Sequence, residues 1–286
     1  MTGRLGKALA WLGRRTRRNP PAVLAAVYIL VMSAMAAAPW AFTSHDPYAL
    51  SARERLQPPS AAHLFGTDEV GRDIYARVVH GTRLTLSLSL FVVALALVLG
   101  SIVGSIAGMA PRWLDELVMR TTDIFLAFPQ FVMAMAIVAA FSRSMLNAML
   151  ALACIWWAQY ARIVRAQVLA VRQEAFVEAA TALGRGRAAV LVREIYPNCF
   201  GPVVVRATLD VSYAVLILSG LSFIGLGAEP PTPEWGALLT RSREYLIEHW
   251  WYPTFPGLAI FLTSLAFSFL GDALRDALDP RGRKYV

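Results

Sequence analysis

The sequence predicts an all-α membrane protein with six transmembrane helices. With 57% hydrophobic and 16% charged residues, the chain is too apolar for an ordinary soluble domain. Six charge-free runs, at 19–44, 84–111, 124–142, 144–161, 211–228 and 250–271, each hold at least 18 residues, close to the roughly 20 that a spanning helix needs. None alternates as a barrel strand would, so helices must satisfy the backbone inside lipid.

Residues 1–18 read as a cytosolic basic tail, and 19–44 as the first span. A basic start and Ala36-Ala37-Ala38 imitate a secretory signal. Pro39 opposes cleavage there, and the run is long for a signal core, so a retained anchor is expected. An extracytoplasmic segment follows at 45–83. Pro47, Pro58 and Pro59 make its first half irregular, whereas the second half, from His63 to Arg83, is dense in glycine and paired charge. A structural cap is expected there, with Gly66 and Gly71 allowing tight turns.

A five-helix core occupies 84–274. Its first helix carries Gly100, Gly104 and Gly108, a ridge of small residues that lets another helix approach closely. The next opens at Asp123 and carries Pro129, an expected kink beside a candidate translocation path. The fourth span ends in Trp156, Trp157 and Tyr160, which suit a membrane interface. A loop at 162–200 then interrupts the apolar pattern. Ala, Leu and Glu dominate 174–183, giving a short water-facing helix. Gly184 stands where that helix would stop, and Pro197 bars an uninterrupted helix into the next span. In the fifth span Arg206 and Asp210 are one turn apart and can neutralise each other. Ionisable groups at membrane depth are functional candidates, so both join Pro129 on the candidate translocation path. The last span leads to a cytosolic tail at 275–286.

Lys and Arg number 27 against 19 acids, but their placement reflects topology rather than nucleic-acid binding. Six spans put 18 cations on one side and 8 on the other, with Arg206 inside a span. The richer side is the cytoplasm, so both termini and the central loop are expected there, with anionic lipid as a partner.

Several chemistries lack their residues. No phosphate-binding Gly-x4-Gly-Lys-Ser/Thr loop is present, nor a hydrolase or metalloprotease motif. Gly184-x-Gly186 imitates a dinucleotide fingerprint, but no buried strand precedes it. His45, His63, His80 and His249 lack metal-ligand spacing, and Cys154 and Cys199 are too distant for a redox motif. No catalytic residue, cofactor or resident metal is expected.

The run Phe176-Val-Glu178-Ala179-Ala180-Thr-Ala-Leu-Gly184, followed by Ile195-Tyr-Pro197-Asn, resembles the Glu-Ala-Ala loop of ATP-binding-cassette importer permeases. Tyr196 departs from the leucine usual before that proline. His63-Leu-Phe-Gly-Thr-Asp-Glu-Val-Gly-Arg-Asp73, Leu221-Ser-Phe-Ile-Gly-Leu-Gly-Ala-Glu-Pro-Pro231 and Phe269-Leu-Gly-Asp-Ala-Leu-Arg275 resemble further signatures of the dipeptide and nickel branch. The resemblance covers about residues 45–283, and Ser60-Ala-Ala-His63 and His249-Trp-Trp-Tyr252 are most similar to a D,D-dipeptide subgroup.

It implies a type I importer (MetI-like) permease fold in a bacterial inner membrane, in the second (C-type) permease position. The implied partners are a homologous permease subunit, two ATP-binding subunits and an extracytoplasmic substrate-binding protein. The implied cargo is a di- or oligopeptide or a nickel chelate. Glu178, Ala179, Ala180, Gly184, Ile195 and Pro197 would form the ATPase-coupling site. Two other classes fit a polytopic chain. An ion-coupled secondary transporter needs buried mid-membrane acids or inverted repeats, for which only Asp123 and Asp210 offer material. An intramembrane enzyme needs a paired nucleophile and base, which the spans lack.

Overall fold

A computed structural model describes residues 19–278. The expected tail at 1–18, and the C-terminal tail from 279 onward, lie outside the described residues.

Helix α1 spans Pro20–Ala37, and two short 3₁₀ turns, Pro39–Ala41 and Ala52–Glu54, interrupt the segment that follows it. Helix α2 runs Ile74–Met109, α3 Arg112–Ala127, α4 Gln130–Ala140 and α5 Met145–Val171. Short helices α6 (Ala175–Ala182) and α7 (Arg187–Val190) lead through a π-turn at Leu191–Ile195 into α8 (Tyr196–Phe223). Helices α9 (Trp235–Ser242) and α10 (Trp251–Leu278) complete the order.

Side-chain caps start three of these helices. Asp73 accepts from the Ala76 amide at 2.6 Å, Ser144 from Asn147 at 3.1 Å and Glu234 from Ala237 at 2.9 Å. Each satisfies an amide that a helix start leaves without an internal partner.

Helices α2 and α5 form the centre, and the glycine ridge joins them. A methyl group on Gly100 would stand 2.3 Å from Tyr160 Cβ, one on Gly104 2.4 Å from the Ala161 carbonyl, and one on Gly108 2.7 Å from Val168. Only glycine permits that approach. Helix α8 packs on α10 through hydroxyls, with Ser212 Oγ 2.6 Å from Ser264 Oγ and 3.0 Å from Ser268 Oγ. Tyr28 ties α1 to Thr263 of α10 at 3.1 Å.

Four helices are long and apolar enough to cross a membrane: α1, α2, the 201–223 part of α8, and α10. Helices α3 and α4 make a fifth if counted together, although an 86° bend separates them. Of the six expected spans, the one outside this count is α5. At 27 residues it is long enough, but Trp156, Trp157, Gln159 and Tyr160 dilute its hydropathy. Its inner face is buried by protein, so those residues need not meet lipid.

Several boundaries differ from the sequence reading, and α2 already begins at Ile74, inside the expected segment 45–83. The third helix opens at Arg112 rather than Asp123, because its charged turns are neutralised across the helix pair. Arg165 donates to both oxygens of Asp115, once at 2.6 Å, and Arg162 to Asp123 at 2.5 Å. Helix α5 runs on past both arginines to Val171, so the loop starts some ten residues later than 162. Pro197, finally, does not separate two helices. The coil continues from α7 into α8, and the wider π-turn before Pro197 accommodates its missing amide donor.

Candidate functional site

The loop between α5 and α8 presents α6 at one end of the bundle. Val177 and Ala180 are buried, and Val177 joins an apolar cluster of Val164 and Val168 from α5 with Val190, Ile195, Cys199 and Val203. The opposite face is open. Phe176, Ala179 and Leu183 are exposed, and their spacing sets them along one side of the helix. Leu183 is 83% exposed. Glu178 is exposed beside them, at the rim of a 540 Å³ cleft that Met109, Arg172, Arg185 and Arg187 also line.

Gly184 ends α6 with φ of +81°. The amide of Arg185 reaches the Ala180 carbonyl at 3.2 Å, and that of Gly184 the Thr181 carbonyl at 2.9 Å. This paired closure is a Schellman stop. A methyl group on Gly184 would meet nothing within 4 Å, so the constraint is positive φ, not space.

The structure thus divides the six expected coupling residues. Glu178, Ala179 and Gly184 are exposed, as is Pro197, while Ile195 is fully buried. Ala180, expected in the coupling site, is buried against its own chain. The reason is helical phase, since Ala180 follows Val177 by three positions. Phe176 and Leu183 were absent from the expected site. Because both faces of α6 are apolar, periodicity alone could not rank them. Tyr196 bonds Ser105 Oγ at 2.9 Å, linking the start of α8 to α2.

The candidate path residues separate. Arg206 and Asp210 lie on α8, where Arg206 also donates to Gln159 of α5 at 2.6 Å. The Asp210 side chain is 3% exposed and that of Arg206 is 38% exposed. Pro129 is exposed at the α3–α4 break, where extended Phe128 precedes it, as the residue before a proline prefers.

The segment preceding α2 is a closed polar knot. Asp68 is fully buried. It accepts from Arg72 Nε at 2.6 Å, Arg77 at 3.2 Å and the amides of Val70 and Arg72. Gly66 and Gly71 have φ of +73° and +81°. Arg77 continues to the Pro231 carbonyl at 3.2 Å, Trp235 donates to Val78 at 3.0 Å, and Tyr252 to Glu69. Three sequence-distant segments are thereby fastened into one cap. Burial raises the Glu234 carboxyl above its ordinary range, and the Gly236 and Ala237 amides and the Ser222 and Ser219 hydroxyls offset this in part.

Comparison with known proteins agrees with this architecture. The chain is 43% identical over 277 residues to the probable D,D-dipeptide transport system permease protein DdpC of Escherichia coli (strain K12), covering 96% of this chain and 92% of that protein. It is 41% identical over 268 residues to the dipeptide transport system permease protein DppC of Alkalihalophilus pseudofirmus, covering 94% and 88%. The inward-facing MetNI methionine ABC transporter structure matches with a TM-score of 0.59 at 18% identity, over 72% of this chain and 98% of that one. Residues 100–284 match the family described as binding-protein-dependent transport system inner membrane component. The chain therefore belongs to that family, as a non-catalytic permease subunit of an ABC importer whose ATP hydrolysis is performed by separate subunits.

Proposed function

We propose that this permease forms half of a translocation pathway for dipeptides or short oligopeptides, with α6 as its contact with an ATP-binding subunit. The observation that carries this reading is the two-sidedness of α6. One apolar face is spent on the chain's own core, and the other, formed by Phe176, Ala179 and Leu183, is left open at the end of the bundle. An exposed apolar face flanked by charge suits a partner surface. Glu178 would add a charge-assisted bond at its rim.

The charge asymmetry supports a cytoplasmic position for α6 and both termini, with the Asp68 knot outward, toward a substrate-binding protein. A homologous permease subunit would supply the other half. Peptide cargo is inferred from the named relatives, a D,D-dipeptide and a dipeptide permease. Alternating access then follows if the partners bind two arrangements of the spans unequally. Arg206 and Asp210 are proposed as pathway residues on α8, with the Pro129 break as a flexure beside it.

A photocrosslinker at Leu183 or Val177 in the assembled importer tests the contact. The Leu183 probe is expected to capture the ATP-binding subunit, and the buried Val177 probe only this chain. Capture from neither position, or from Val177 alone, would remove α6 as the contact.

A further inference from the structure

Outside the coupling region, the fold gathers a donor set that linear spacing conceals. His45 follows α1 by a few residues, His63 lies in the segment before α2, and Asp73 caps α2. One potential ligand atom from each lies within 4.8 Å of the other two. His63 Nδ1 is 2.9 Å from Asp73 Oδ2, and the two imidazole centroids are 5.5 Å apart. His63 and Asp73 are buried, whereas His45 is exposed.

A single hydrogen bond between His63 and Asp73 accounts for two of these groups but not for the third. His45 is positioned by its own turn, in which its amide donates to Thr43 Oγ1 at 3.2 Å. Asp46 Oδ1 accepts from Tyr48 at 2.8 Å. The ring so presented converges on a carboxylate that already has another imidazole beside it.

Metal–ligand lengths of about 2.0–2.2 Å let two ligands on one ion stand up to roughly 4.2 Å apart. The buried pair already meets that limit, and all three ligand atoms lie within 4.8 Å of one another, with the third carried by the exposed side chain of His45. Asp73 Oδ1 stays committed to the Ala76 amide at 2.6 Å, which leaves Oδ2 to face the imidazoles. Behind His63, Nε2 faces Glu54 Oε1 at 3.9 Å. That is where a metal-bound imidazole usually finds the carboxylate that orients it.

We propose that His45, His63 and Asp73 bind a divalent first-row transition ion of the Zn²⁺ kind, clipping the chain after α1 to the cap of α2. Two imidazoles and one carboxylate suit such ions, not Mg²⁺ or Ca²⁺. Remaining coordination positions go to water. The ion takes the place of the Nδ1 proton in the His63–Asp73 bond, and the imidazole then carries its proton on Nε2, the side that Glu54 faces. The clip would stiffen the Asp68 knot rather than catalyse a reaction.

The test uses the full chain, purified without a polyhistidine tag and stripped with chelator, then titrated with Zn²⁺ and separately with Co²⁺. One Zn²⁺ per chain is expected, with a visible ligand-field band from Co²⁺ and a higher melting temperature. His45→Ala removes an exposed side chain and leaves the α2 cap intact, so it should fold and lose at least tenfold in Zn²⁺ affinity. Asp73→Asn keeps the cap, since asparagine caps as well as aspartate, and should lose the Co²⁺ band. Equal Zn²⁺ affinity in the wild type and His45→Ala, or a Co²⁺ spectrum unchanged by Asp73→Asn, would overturn the site.

Discussion

Arg206 grips Asp210 with two nitrogens, Nε standing 3.0 Å from one carboxylate oxygen and a terminal nitrogen 3.0 Å from the other. A bidentate pair within one helix is held more firmly than a point contact. Asp210 is nearly enclosed, and Arg206 is anchored to α5 through Gln159. Removing one partner would strand the other, and removing both would not. Asp210→Asn is therefore expected to lower transport or assembly more than the Arg206→Gln/Asp210→Asn double variant, by about tenfold, or 1.4 kcal/mol. Uptake and membrane levels of the four combinations form the cycle, and additive losses would show the pair to be uncoupled.

Gly184 sets a separate expectation. A β-branched residue at its positive φ would be strained by on the order of 1–2 kcal/mol, enough to disturb the end of α6 without unfolding the spans. Gly184→Val should reach the membrane at normal levels. Uptake and substrate-stimulated ATP hydrolysis in the reconstituted complex should fall together. Normal uptake from a well-expressed variant would remove the coupling role.

The glycine ridge should behave in the opposite way. Gly104→Leu would drive a side chain into the Ala161 carbonyl, and overpacking of this kind costs about 1–3 kcal/mol or more. Loss should be visible as reduced membrane abundance and melting temperature before any effect on coupling. A stable variant that fails only in ATP-driven uptake would show that the α2–α5 contact is dynamic.

Buried Glu234 gives the cap a pH dependence. Its carboxyl titrates higher when folded than when unfolded, so the folded chain holds the proton more tightly. Stability is then greatest below the unfolded value, about 4.3, and declines as pH rises through the raised folded value. Melting of the purified chain should show this decline, and Glu234→Gln should flatten it. Identical pH profiles would rule Glu234 out as the source.

Orientation can be checked by thiol labelling after Cys154 and Cys199 are replaced. Thr67 is fully buried and unsuited to a label, whereas Leu64 is 57% exposed. Leu64→Cys should react with an impermeant reagent in whole cells, and Leu183→Cys only after lysis. The reverse pattern would invert the topology.

The long apolar runs made α1, α2, α8 and α10 readable, because a 3.6-residue coil of that length has no other way to satisfy its backbone in lipid. Gly100, Gly104 and Gly108 likewise announced a close packing face. What the linear pattern hid was non-local. Helix α3 starts among charges because Arg162 and Arg165 arrive from α5 to neutralise them. Val177 turned inward onto a cluster with Val164 and Val168 that no local window reveals, and Ala180, three positions on, is buried with it. His45, His63 and Asp73 look solitary in sequence, and only the folding of the segment between α1 and α2 brings them together.

The apolar cluster beneath α6 has a mechanical consequence. Val177 shares one apolar cluster with Val164 and Val168 of α5 and Cys199 and Val203 of α8, so a push on α6 would reach both helices through packed side chains. In the proposed coupling role, the short helix would act as a gear tooth seated against the two shafts that it turns. Such a tooth drives equally well in reverse. By reciprocity of coupling, any ligand that favours one arrangement of α5 and α8 must bias the surface offered by Phe176 and Leu183 by the same free energy.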